Sequence, residues 1–320
     1  MKKLGLEAFC EIKNWMYRNA RPVDLALWKY YFENGNKEAV LSSLAYYQNE
    51  DGGFGHALEA DSWNPNSSPY TTLYAINILQ AMDFKDISHP IMQGIFRFLS
   101  SGKHFSKTGW LFSIPTNNEY AHAPWWTYNS DANELESIGV TAELSGFVLK
   151  YFDKDTDLYK RVILIMNDII AKLEIQDSYG DMGIGGYCVL LDTIKQAGIE
   201  KQFNYTKLRD VVKGLVYNSI ERDTSKWSSY GVRPSNYITT PDSIYYKDNE
   251  DIVQKELDYL IETREKCNVW NITWSWFENN EKYPKEFAIS ENWWKAGKAI
   301  EKLVLLRNFE RIDCNGEYIF

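Results

Sequence analysis

Two kinds of helix-periodic segment alternate along the chain. In "DLYKRVILIMNDIIAKLE" the apolar residues Leu158, Val162, Ile165, Met166, Ile169 and Leu173 recur at helical spacing. "YTKLRDVVKGLVYNSI" repeats the pattern with Leu208, Val211, Val212, Leu215 and Val216, and "EDIVQKELDYLIETRE" with Val253, Leu257, Leu260 and Ile261. One apolar stripe opposite a charged face predicts a helix covering a core from outside. The second kind is apolar or small nearly all round: "SPYTTLYAINILQAM", "SIGVTAELSGFVLKYF", "DMGIGGYCVLLDTI" and "ENWWKAGKAIEKLVLL". A helix without a wide polar face is surrounded by protein, and its glycines and alanines suit close helix packing.

The connections differ too. Links from an inner helix to the next outer one are short, around 83–87, 153–156 and 196–202. Links from outer to inner are long and rich in Gly, Trp, Asn and Pro: 49–67, 102–136, 222–241 and 267–290. Aromatic loops of that length in a compact domain are functional rather than disordered. If the inner helices run parallel, the long loops emerge at one end. Adding "LEAFCEIKNWMYRN", "VDLALWKYYFE" and "KEAVLSSLAYYQ" gives about six outer–inner pairs. The expected fold is all-α: a single domain over residues 1–320, closed into an α/α toroid resembling an (α/α)6 barrel. An irregular bundle or open solenoid is the competing arrangement.

Composition narrows the function. The chain has 320 residues, 44% hydrophobic and 25% charged, enough for a substantial core. Aromatic residues make up 15%, with 22 Tyr and 12 Trp, and such a surplus lines either a core or a cavity. The net charge of −9, with no basic run, argues against nucleic acid and anionic membranes as partners. Cys10, Cys188, Cys267 and Cys314 are scattered, so neither a disulfide framework nor a zinc site is predicted, and no cofactor is expected. The N-terminal stretch lacks a signal-peptide h-region and no segment is long and apolar enough to span a bilayer, which predicts a cytoplasmic protein.

"YYQNEDGGFG" followed by "SPYTTLYAINIL" resembles the repeat of squalene/hopene cyclases and protein prenyltransferases, through Gln48, Asp51, Gly52, Gly53, Phe54, Gly55, Pro69 and Thr72. Weaker echoes occur at "TGWLFSIP", "GDMGIGG" and "WSWFENNEKYP". The resemblance implies the α/α toroid and an isoprenoid-like substrate; as sequence it covers about 35 residues. The chain departs from the family in having no D-x-D-D, no D-D-x-x-D, and no Asp/Cys/His or Cys/Cys/His zinc set: Cys188 has no histidine on a later inner helix to join it. The family's known activities therefore do not transfer directly.

The glycines of the D-G-G-F-G turn, with Asp51 accepting turn amides and Phe54 plugging between helices, fit an architectural role. His56, Glu59, Asp61 and Trp63 follow after the turn is complete. They fit either a general acid with a raised pKa or a solvated loop in which Ser67 or Ser68 caps the next helix. The second long loop offers His122, Trp125, Trp126, Tyr128, Asp131, Glu134 and Glu136, as a packed lid or a stacking platform. A third group comprises Trp227, Tyr230, Arg233, Tyr237, Trp274, Trp276, Glu278, Tyr283, Glu286, Glu291, Trp293 and Trp294.

Three functions are compatible with these residues. The first is an enzyme that protonates an isoprenoid-like substrate from Asp61 or Glu59, with Trp and Tyr rings stabilising the cation. The second is a glycoside hydrolase or lyase using paired carboxylates. The third is a ligand- or peptide-binding module without catalysis.

Overall fold

The computed structural model describes residues 1–173 and 180–313, with the side chains of 134–135 and 180–182 left aside. Among the described residues the chain is all-helical and has no β-strand, only isolated bridges. In chain order the helices are α1 (Leu6–Asn19), α2 (Pro22–Phe32), α3 (Lys37–Ala45), α4 (Pro69–Ala81), α5 (Pro90–Ser100), α6 (Ser130–Tyr151), α7 (Asp157–Lys172), α8 (Gly180–Gln196), α9 (Tyr205–Ser219), α10 (Glu250–Thr263), α11 (Asn279–Lys282) and α12 (Pro284–Asn308). No described helix is long and apolar enough to cross a membrane. Cys314 and Glu174 lie outside the described residues, and so does the side chain of Glu134.

Local chemistry sets several helix starts. Asn36 accepts from the Ala39 amide, Ser68 from Thr71, Asn129 from Asp131 and Ala132, and Thr156 from Tyr159, each satisfying a first-turn N–H. Capping also explains two departures from the apolar pattern. α6 begins at Ser130 because Asn129 caps two polar turns ahead of the apolar run, and α12 begins at Pro284, which needs no amide partner in a first turn. Both long loops are correspondingly shorter than the hydrophobic pattern alone predicts.

The chain divides into two compact units. One combines Met1–Tyr46 with Ile220–Phe320. Its core includes Phe9, Trp28 and Phe32, whose rings meet at 4.8–5.8 Å. A parallel bridge between Leu4 and Ile312 joins the two chain segments, and buried Arg311 donates to the Lys2 carbonyl and to Asp258, each at 2.7 Å. α10 buries Ile252, Val253, Leu257 and Leu260 along one stripe, with Glu256 among them.

The other unit, Tyr47–Ser219, holds α4 to α9. α7 buries the stripe Val162, Ile165, Met166 and Ile169, while α6 is buried at every position from Ser137 to Leu149 except Glu143. α7 and α6 thus bury one face and the whole circumference respectively, as their patterns predict. α6 and α8 make the most extensive helix contact. A Cβ added at Gly186 would fall 2.8 Å from Gly139 Cα, and one added at Gly146 would fall 2.7 Å from Thr193 Oγ1. Both contacts advance by seven residues along each helix, so α6 and α8 run parallel, with α7 returning between them.

α4 and α6 obey the same rule. Tyr70, in the first turn of α4, packs on Phe112, whose amide donates to Asn133 Oδ1 in the first turn of α6. Seven residues further along α4, Asn77 Nδ2 donates to Glu143 Oε2 at 3.1 Å. Three inner helices of this unit therefore start at one end.

Candidate functional site

The D-G-G-F-G turn is held at every motif position. Gln48 Nε2 donates to the carbonyls of Gly52 and Ile91 at 2.9 and 3.0 Å. Gly52 sits at φ 89°, and a Cβ there would fall 2.0 Å from the Gly94 carbonyl oxygen, so only glycine fits. Phe54 is fully buried, and its amide donates to Thr72 Oγ1, which donates to the Ser68 carbonyl. Asp51 accepts from the Gly53 amide, Ser67 Oγ and Lys103 Nζ at 3.1, 2.5 and 2.8 Å. Partial burial works against its charge, but these donors win and hold the carboxyl below the usual aspartate range. The turn ties the start of α5 to the start of α4.

The residues after the turn form a folded wall. His56, at φ 57°, is exposed, with Nε2 2.8 Å from Asn49 Oδ1. Glu59 and Asp61 are only 3% and 2% exposed, in contrast to a solvated loop. Glu59 Oε2 accepts from the Asp61 amide at 3.0 Å. The segment then pairs with the second long loop. The Ala123 amide donates to the Asp61 carbonyl at 2.8 Å, the Trp63 amide to the Ala121 carbonyl at 2.9 Å, and Ser62 bridges His122. Asn64 Nδ2 donates to Thr116 Oγ1 and Asn117 Oδ1, both at 2.8 Å, and Asn117 Nδ2 to the Trp126 carbonyl at 3.0 Å.

His122 is buried between two partners. Nδ1 lies 2.7 Å from the Tyr120 carbonyl, which can only accept, so Nδ1 carries a proton; Nε2 lies 3.0 Å from Thr127 Oγ1, a hydroxyl that can serve as either partner. Both ring nitrogens are occupied in holding the loop. Trp126 is buried, stacked on Phe112 at 4.6 Å and edge-on to Tyr70 at 4.5 Å. Its Nε1 has no hydrogen-bond partner among the described residues. Trp63, Trp125 and Tyr128 are half-buried on the same pair of loops. These two loops, which the sequence treats separately, form one platform at the starting ends of α4 and α6.

The third aromatic group belongs to the other compact unit. Trp227 and Trp276 are fully covered: Trp227 Nε1 donates to the Glu221 carbonyl, its ring meets Tyr259 edge-on, and Trp276 packs on Phe287. Trp274 and Trp294 meet edge-on at 5.4 Å, and Trp293 lies 5.2 Å from the Arg21 guanidinium. Exposed Tyr230 lines a depression of about 400 Å³ with Glu221, Lys226, Trp227 and Arg233.

Glu143 is the residue that sequence reasoning passed over. It is the one ionisable group between Ser137 and Leu149, a stretch of α6 otherwise closed off from water. Its carboxyl keeps a partial opening, but desolvation raises its pKa and the Asn77 amide only partly offsets this. Desolvation also raises Glu136, two turns earlier on the same face of α6. A single carboxylate interrupting an apolar, all-round-buried pattern was the available signal. Among the described residues no group of three or more His, Cys, Asp or Glu is placed to hold a metal ion.

Comparison of the chain with protein-family models, curated proteins and solved structures finds no match.

Proposed function

We propose that the chain is a closed α/α toroid working in the cytoplasm, and that its parallel inner helices surround a cavity in which an isoprenoid-like substrate is cyclised or isomerised after protonation. The alternation of one-faced and all-round helices and the common start of α4, α6 and α8 support the toroid. Glu143 carries the catalytic reading. A carboxylic acid on an inner helix, its protonated form favoured by desolvation, can deliver a proton to an alkene that water would not protonate. Such general-acid catalysis contributes about 10²–10⁴-fold. The half-buried rings of Trp63, Trp125 and Tyr128 would stabilise the cation by roughly 1–2 kcal/mol each. In this reading Glu59, Asp61 and His122 shape the mouth.

A second reading is favoured by Glu136 and Glu143. Seven residues of helix separate their backbones by about 10.5 Å, and carboxyl pairs some 5–10 Å apart hydrolyse glycosides. The test is incubation of native protein with prenyl diphosphates, polyenes and oligosaccharides, with product analysis and thermal shift. The expected result is a prenyl-type product, with E143Q losing at least about 100-fold in turnover while keeping the ligand-induced stabilisation. Oligosaccharide cleavage alone would select the second reading. Stabilisation by a ligand without turnover would leave a binding module, and no response to any of them would overturn the cavity itself.

A further inference from the structure

The depression beside Tyr230 is built by one loop, in the unit that does not contain Glu143. The Glu221 amide donates to the Val232 carbonyl at 2.9 Å, so residues 221–232 close on themselves as an Ω-loop. Trp227 is its plug: the ring is fully covered, and Nε1 donates to the Glu221 carbonyl at 2.9 Å. The Arg233 guanidinium donates to the Trp227 carbonyl and lies 5.0 Å from the Tyr259 ring centroid, which ties the loop to α10. Asp223 fixes the first turn by accepting from the Ser225 amide and Oγ at 3.1 and 2.7 Å. The loop's own bonds therefore hold the concavity, and its volume of about 400 Å³ falls within the ~300–1,000 Å³ of small-ligand sites.

The lining selects the ligand class. Tyr230 is 66% exposed, so its ring is open to stacking. Glu221, Lys226 and Ser229 line the same depression. Their charges are balanced: Lys226 Nζ lies 3.5 Å from Glu221 Oε2 and 4.0 Å from Asp223 Oδ2, and Arg233 is turned to the Trp227 carbonyl. Two cations against two carboxylates leave no surplus charge to select an ion of either sign. An apolar ligand is disfavoured as well, because it would strip water from these groups and return no hydrogen bond. A neutral molecule with hydroxyls around its edge and C–H groups on its face meets every demand.

We propose that this Ω-loop is a binding site for neutral saccharides whose pyranose hydroxyls are equatorial, with Tyr230 as the stacking ring. Equatorial hydroxyls leave axial C–H groups on both faces of the sugar, and their partial positive charge meets the negative face of the tyrosine ring. The hydroxyls themselves both donate and accept, so the sugar can donate to Glu221 and accept from Lys226. Binding is non-covalent and depends on neither Glu136 nor Glu143.

The experiment titrates native protein separately with cellotetraose and chitotetraose, by calorimetry and saturation-transfer NMR. The expected result is binding of at least one with a Kd of about 1 mM or tighter. Y230A should weaken it by about tenfold or more, whereas Y230F, which keeps the ring, should stay within about threefold of native. E143Q should bind as the native protein does, which separates this site from any turnover of oligosaccharide at Glu143. Because the Tyr230 ring is exposed, the urea midpoint of Y230A should match the native one. No binding of either sugar at about 10 mM, or binding that Y230A leaves unchanged, would overturn the assignment.

Discussion

Gly139 on α6 and Gly186 on α8 meet backbone to backbone: a Cβ at position 186 would lie 2.8 Å from Gly139 Cα and 2.9 Å from its carbonyl oxygen. Backbone atoms cannot rotate aside, so the helices must separate to admit a methyl group. G186A should therefore destabilise the protein by about 1–3 kcal/mol of overpacking, less up to ~1 kcal/mol of improved helix propensity. Gly214, on α9, has open space around its Cβ position, so G214A should be neutral or stabilising. Urea titration of both variants checks this, and equal effects would refute the close approach.

Asp51 makes stability depend on acid. Its carboxyl is held below the usual range, so its contribution is present above the unfolded value near 4 and is lost as pH falls through the folded value. D51N should be less stable than the native protein by up to ~1 kcal/mol at pH 7, solvent screening limiting the Lys103 pair. Urea midpoints of the two proteins should draw together as the pH falls from about 4 through the lowered folded value.

Glu143 has the opposite sign. A folded-state pKa raised by desolvation gives stability that is complete below the unfolded value near 4.3 and is lost as pH rises through the folded value. E143Q keeps an acceptor for the Asn77 amide but cannot ionise. Its melting temperature should exceed the native one at pH 8, and the gap should close toward pH 4. A constant gap across that range would mean that Glu143 is not desolvated.

Asn64 locks the two loops through two donated hydrogen bonds, to Thr116 and Asn117, and accepts from the Asn66 amide and side chain. N64A leaves buried partners unsatisfied and should cost about 1–3 kcal/mol. Limited proteolysis should then cleave between residues 114 and 128 while α6 and α7 stay protected.

Periodicity located the helices well because burial stripes such as Val162, Ile165, Met166 and Ile169 follow from helix geometry alone. The D-G-G-F-G turn was also legible, since Gly52 and Asp51 satisfy local backbone demands. The candidate site was legible only in part. His56, Glu59, Asp61 and Trp63 share a short segment, yet His56 is exposed beside Asn49 while Glu59 and Asp61 are enclosed. The tryptophans divide similarly: Trp227 and Trp276 are covered, whereas Trp63 and Trp125 remain partly open.

By itself, then, the sequence determined what depends on neighbours along the chain: helical faces, caps and the turn. The tertiary structure alone decided that α6 and α8 run parallel at glycine contact, that two distant loops interlock through Asn64, and that Glu143 is desolvated. Each of these depends on atoms brought from remote segments, because desolvation and close packing are properties of what surrounds a residue in space. A local pattern can mark Glu143 as out of place, but only the packed helices raise its pKa.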